Sequence, residues 1–237
     1  LNIIFGSVPD ASGVNGAVTS SNKFASDVGI NILKDGGNAV DAAIAVGFAL
    51  AVVHPGAGNI GGGGFMVIRL ADGTKTTIDF RETAPQKASR DMFLDENGDI
   101  IEGKSWSTSW ASGVPGSVAG FGLAHEEFGT LKWSQLIDSS IQLARDGYSL
   151  NYNDANSFNR YNDFLTKDSV TRTIFVRDEE FKTGDILVQR NLASTLERIS
   201  RAGWEEFYTG KTADLIQKCM ERTDGLISKN DLKNYIA

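Results

Sequence analysis

From Ala39 to Val53 the chain reads AVDAAIAVGFALAVV, apolar or small at almost every position and carrying one carboxylate, Asp41. A helix that is apolar on every side has to be covered on every side. The stretch is shorter than the ~20 residues a membrane crossing needs. We therefore expect a central buried helix with other elements packed around it. Ala42, Ala43, Ala45, Gly47 and Ala49 would let those neighbours approach closely. A chain of 237 residues can build such a core, burying roughly 70–75% of its unfolded surface.

The helix has marked ends. Asn38 suits the N-cap and Asp41 the third helical position, a capping box with Asp in the place of Glu. His54-Pro55 ends it, because the residue before proline is biased away from helical backbone. The preceding segment, SNKFASDVGINILKDGG, places Phe24, Val28, Ile32 and Leu33 at helical spacing and stops at Gly36-Gly37.

After Pro55 comes GAGNIGGGGF, with four glycines in a row, Gly61 to Gly64. A phosphate-binding P-loop needs Lys followed by Ser or Thr after its last glycine; here Phe65 and Met66 follow. A dinucleotide fingerprint runs strand, glycines, helix, whereas this order is helix, glycines, strand. The run reads instead as a passage where backbone lies close to other chain segments. FMVIRL (65–70), the turn ADGT (71–74) and KTTIDFRE (75–82) then predict a hairpin. Its first strand is nearly continuously apolar, so both faces are expected to be covered. Its second alternates, with Ile78 and Phe80 on one face and Asp79 and Arg81 on the other. One hairpin is not a whole sheet, so further strands, here or in another chain, are needed to complete it.

The remainder reads as mostly helical. APQKASRDMFLDENGDI is a loop with an Asn97-Gly98 turn, and Pro115 suits the first position of a helix through SVAGFGLAHEEF. KWSQLIDSSIQLARDG, NLASTLERISRAG and FYTGKTADLIQKCMERTDG are further helices ended by glycine, and Ser228 and Asp231 open another in capping-box spacing. TIFV (173–176) and DILV (185–188) are short strand-like pieces. The fold class is α/β or α+β, rich in helix.

The formal net charge of −7 opposes a nucleic-acid partner. The lone cysteine, Cys219, can form neither an internal disulfide nor a zinc site and reads as a half-buried small apolar residue. With His54 and His125 the only histidines, no metal centre is expected. There is no G-x-S-x-G elbow, and SWSTSWASG (105–113) reads as a polar loop. Arg81, in DFRETAP, has two readings. It is a surface arginine paired with Asp79 or Glu82, which is worth little, or a planar fork held on a rigid strand for a carboxylate ligand. Spacing alone leaves both open.

The run GGNAVDAAIAVGFALAVVHPGAGNIGGGGFMVIRLADGTKTTIDFRETAP (36–85) resembles the gamma-glutamyltransferase, or gamma-glutamyltranspeptidase, family. The similarity continues in the family's order through ASRDMFLDENG, ASGVPGSVAGF, LIDSSIQLARDGY, GDILVQRNLASTLERI and GLISKNDLKNY. The resemblance implies an N-terminal-nucleophile hydrolase fold, a four-layer αββα sandwich. Residues 1–237 would be the N-terminal, helix-rich part of the large subunit, a single domain incomplete without the small subunit. It implies a precursor that cuts itself, after which the new N-terminal threonine of the small subunit is the nucleophile. That threonine would attack the γ-amide of glutathione or a related compound, and the γ-glutamyl group would pass to water, an amino acid or a peptide.

Thr76-Thr77 is followed by Ile78 and not by the histidine of the family's cleavage site. The resemblance thus implies no catalytic residue in this chain, which by itself would be inactive. The family's R-E-x-A-P motif, here RETAP, implies that Arg81 binds the α-carboxylate of the γ-glutamyl group. It further implies a periplasmic or extracellular location, no cofactor and no membrane span. No secretory signal is visible at Leu1. Cephalosporin acylases share this layout and take a glutaryl group. A non-catalytic γ-glutamyl-binding or scaffold fragment is the other alternative.

Overall fold

The computed structural model describes residues 12–237. In chain order these form α1 (Lys23–Lys34), α2 (Ala39–Val53), β1 (Phe65–Arg69), β2 (Lys75–Asp79), α3 (Lys104–Ser107), α4 (Ser117–Phe128), α5 (Trp133–Asp146) and β3 (Tyr148–Ser149). There follow α6 (Tyr152–Arg160), α7 (Asn162–Leu165), α8 (Ser169–Phe175), β4 (Ile186–Leu187), α9 (Arg190–Ala202), α10 (Glu206–Thr209), α11 (Lys211–Arg222) and α12 (Lys229–Lys233).

Helix α2 is central, as its composition demands: α1, α4 and α5 all pack against it, and α9 packs behind α5. Phe48 is fully buried and meets the rings of Phe121 and Trp133 edge-on at 5.1 and 5.5 Å. Each such large side chain removed from water contributes roughly 1.5–3 kcal/mol. Ala43 alone among the small residues singled out on this helix is exposed.

The turn into α2 is built locally. Gly36 takes a φ of 91°, left-handed backbone that glycine adopts without a Cβ clash. The Asn38 side chain accepts from the Val40 and Asp41 amides, and Asp41 accepts from the Asn38 amide in return. Asp41 does more than cap. It is fully buried and also accepts from the Thr130 amide and hydroxyl, tying α2 to the approach to α5.

Strands β1 and β2 pair antiparallel, Met66 opposite Ile78 and Ile68 opposite Thr76, and the ladder runs one pair further through Gly64 and Phe80. Ile68, Ile78 and Phe80 are buried against the helices, and the Phe80 ring meets that of Phe121 at 5.8 Å. The expectation that both faces of β1 are covered is not met among the described residues: Phe65 is 63% exposed and Val67 81%. The helices pack on one face of the hairpin, and no described residue covers the other. The second sheet is also two-stranded, β3 with β4, and places the DILV piece as expected.

Two further expectations are corrected. TIFV is not a strand; its first three residues end α8. Asp168 caps that helix through the Val170 and Thr171 amides, and a cap outweighs the preference of a short β-branched run. Pro115 lies ahead of α4, whose N-cap is Gly116, because the segment before it is extended and Val114 bridges Thr83.

The glycine run is a close passage of backbone. None of Gly61 to Gly64 has a positive φ. The Gly62 carbonyl accepts from the Gly116 and Ser117 amides at the start of α4. A Cβ on Gly63 would lie 2.5 Å from the Phe80 carbonyl oxygen and 2.7 Å from the Glu82 amide nitrogen, while the atoms nearest to one on Gly62 belong to the Asn59 side chain. Backbone cannot yield as a side chain does. Gly63→Ala is therefore expected to cost roughly 1–3 kcal/mol through overpacking, and Gly62→Ala distinctly less. Thermal midpoints of the two variants, in the full-length protein carrying this sequence, check this; equal midpoints contradict it.

Candidate functional site

The hairpin delivers Arg81 just past the last ladder pair, on the same outward face as Thr77 and Asp79 and opposite the buried Ile78 and Phe80. Its backbone is held on both sides. The Arg81 amide donates to Asp79 Oδ1 at 2.9 Å, and its carbonyl accepts from the Tyr235 hydroxyl at 2.8 Å. Burial, and then the nearby carboxylates of Asp79 and Glu82, push the Tyr235 hydroxyl up to about 12, so it stays protonated and donates.

The Arg81 guanidinium itself is open. Among the described residues its partners are Glu82, with Nε–Oε2 at 3.6 Å, and the face of Phe65, 5.9 Å from the ring centre. Its side chain is 68% exposed, so the ion pair adds little. The planar fork keeps the donors that bind a carboxylate in two places.

A cavity of about 410 Å³ opens beside it, lined by Arg81, Thr83, Met92, Phe93, Trp110 and Ser112 among others. This volume suits a small polar ligand. Neither histidine nor Cys219 lines this cavity, and Cys219 sits half-buried in α11. Among the described residues no group of His, Cys, Asp or Glu is placed to hold a metal ion, and no helix is long and apolar enough to cross a membrane. A larger cavity, about 1120 Å³, lies along α8, α9 and α11. There Asp168 pairs with Arg222 and Arg198 with Glu206, and Lys167 and Lys218 also line the wall. Arg81 is the cation that lines the smaller cavity.

Sequence reasoning located Arg81 and its face but missed the surroundings. SWSTSWASG, read as a polar loop, supplies Trp110 and Ser112 to the cavity wall, and Lys104 Nζ sits 3.5 Å over the Trp110 ring. Thr76 and Thr77 lie inside β2, as expected.

The chain matches the gamma-glutamyltranspeptidase family over residues 25–237. The glutathione hydrolase proenzyme of Escherichia coli (strain K12) is 49% identical over 224 residues, which is 94% of this chain and 39% of that protein. The crystal structure of Helicobacter pylori gamma-glutamyltranspeptidase superposes with a TM-score of 0.93 at 44% identity, over 96% of this chain and 66% of that one. A cephalosporin acylase from Bacillus halodurans shares the fold, with a TM-score of 0.78 at 24% identity, over 99% of this chain and 46% of that one. The chain spans well under half the length of the curated relatives it matches. Its elements are a helix-rich portion of the N-terminal-nucleophile hydrolase fold, with few strands.

Proposed function

The chain belongs to the gamma-glutamyltranspeptidase family, and on that footing we propose that the protein carrying it transfers and hydrolyses γ-glutamyl groups, with glutathione and related γ-glutamyl compounds as donors. Arg81 holds the α-carboxylate of the donor. The observation that carries this reading is the open guanidinium of the RETAP segment, fixed at its backbone and facing a small cavity.

The chemistry needs a nucleophile from outside residues 1–237. In the proposed scheme a precursor cuts itself, and an N-terminal threonine on the resulting small subunit attacks the γ-amide carbonyl, its own α-amino group taking the hydroxyl proton. The amide nitrogen leaves as an amine with that proton, and a γ-glutamyl ester remains on the threonine. Water, or the amine of an amino acid or peptide, then cleaves the ester. Residues 1–237 form one domain completed by the small subunit, which also covers the outward face of the hairpin at Phe65 and Val67. The protein works in the periplasm or outside the cell.

The shared fold of the Bacillus halodurans acylase motivates a glutaryl acylase as the second reading. A glutaryl group keeps the carboxylate that Arg81 would hold but lacks the α-amino group. The test is hydrolysis of γ-glutamyl and glutaryl p-nitroanilides by the full-length protein. We expect kcat/KM at least about 100-fold higher for the γ-glutamyl compound, the discrimination of a site that hydrogen-bonds the missing group. The reverse preference supports the acylase, and turnover of neither supports a non-catalytic binding or scaffold role.

A further inference from the structure

The segment RETAPQ (81–86) lies beyond the last ladder pair of the hairpin, and one other stretch of chain grips it at both ends. At one end the Tyr235 hydroxyl donates to the Arg81 carbonyl at 2.8 Å; at the other, Asp231 Oδ1 accepts from the Gln86 amide at 2.7 Å. Between them Thr83 pairs with Val114. Among the described residues the Arg81 carbonyl has no other hydrogen-bond partner.

The gripping stretch is itself rigid. Asp231 Oδ2 accepts from the Ser228 amide and hydroxyl, closing the capping box of α12. The Tyr235 ring stacks on Tyr208, centroids 5.7 Å apart and planes 13° apart. Tyr208 is buried, donates to the Pro115 carbonyl and accepts from the Ala119 amide. A Cβ on Gly116 would land on the Tyr235 hydroxyl and the Phe80 carbonyl. Tyr235 thus reaches Arg81 through space that only glycine leaves open, backed by a tyrosine anchored in the start of α4.

We propose that residues 228–235 form a positioning clip for Arg81, with the Tyr235 hydroxyl setting the backbone from which the guanidinium reaches its ligand. This rests on the proposed role of Arg81 as the carboxylate anchor. A fork that binds in two places works only within about 0.5 Å and 10–20° of its productive geometry. An exposed side chain with three methylenes between backbone and fork meets that tolerance only if its backbone does not move. Tyr235 is a positioning residue; it does not touch the ligand.

The experiment is Tyr235→Phe in the full-length protein, with Arg81→Lys in parallel. Each is assayed on γ-glutamyl p-nitroanilide and on 4-aminobutanoyl p-nitroanilide, the same donor without the α-carboxylate. Tyr235→Phe keeps the stacked ring, so its thermal midpoint should stay close to wild type. We expect KM for the γ-glutamyl donor to rise about 5–20-fold, as for one lost hydrogen bond in the positioning of a charged pair. We expect kcat, and KM for the donor lacking the carboxylate, to stay within about twofold. An equal rise for both donors, or a fall in kcat alone, overturns the clip. A rise with Arg81→Lys but none with Tyr235→Phe also overturns it and leaves the Arg81 reading standing. No effect of either variant overturns the Arg81 reading itself. If Tyr235→Phe does not fold, Asp231→Asn loosens the other end of the clip and is held to the same donor-specific rise.

Discussion

Arg81→Lys is expected to raise KM for γ-glutamyl donors by roughly 10–100-fold while leaving the fold intact. A lysine keeps the charge but replaces a planar two-point fork by a single ammonium on a flexible stem. Losing one hydrogen bond between charged partners costs about 1.5–3 kcal/mol, and each 1.4 kcal/mol is tenfold in binding. Stability should hardly change, because the side chain is mostly exposed and its ion pair with Glu82 spans 3.6 Å. Exposed pairs of that kind contribute about 0–1 kcal/mol. Steady-state kinetics with glutathione and a thermal melt separate the two effects. Unchanged kinetics would return Arg81 to the status of a surface arginine.

Asp41→Asn should do the opposite, lowering stability with little direct effect on donor binding. Asp41 is fully buried, and every hydrogen bond its carboxylate makes is one it accepts: from the Asn38 amide, the Thr130 amide and hydroxyl, and the Leu131 amide. An amide group in its place turns a donor toward those donors. With a buried unsatisfied polar group costing about 1–3 kcal/mol, the loss should reach about 3 kcal/mol across this cluster. The consequence is structural at a distance, since these bonds join the start of α2 to the turn before α5. A lowered thermal midpoint and poor yield of soluble full-length protein would show it. A midpoint equal to wild type would mean that water or a rearranged Thr130 replaces the carboxylate.

What was readable in the sequence was what local chemistry dictates. The Asn38–Asp41 and Ser228–Asp231 capping boxes, the all-round apolar α2 and the Gly147 stop of α5 all depend on residues a few positions apart. The alternation of Ile78 and Phe80 against Asp79 and Arg81 fixed which face of the hairpin carries the candidate site. The apolar run FMVIRL could not reveal that the described helices cover only one of its faces. TIFV read as strand because four residues carry no period, and the deciding group, Asp168, lies five residues before its first threonine. The clip on Arg81 was invisible for another reason: Tyr235 is 154 residues away, and its ring, its Tyr208 support and the gap at Gly116 meet only in the folded chain. The Ser228 capping box marked the segment without marking what it holds.

The proposed γ-glutamyl chemistry turns, in this chain, on Arg81. The most direct measurement compares γ-glutamyl p-nitroanilide with 4-aminobutanoyl p-nitroanilide in wild-type protein and in Arg81→Ala. If Arg81 grips the α-carboxylate, the wild type favours the γ-glutamyl donor in kcat/KM by at least about 100-fold, and Arg81→Ala loses most of that preference because its partner is gone. A preference that survives the substitution undiminished would contradict the account and place the carboxylate elsewhere.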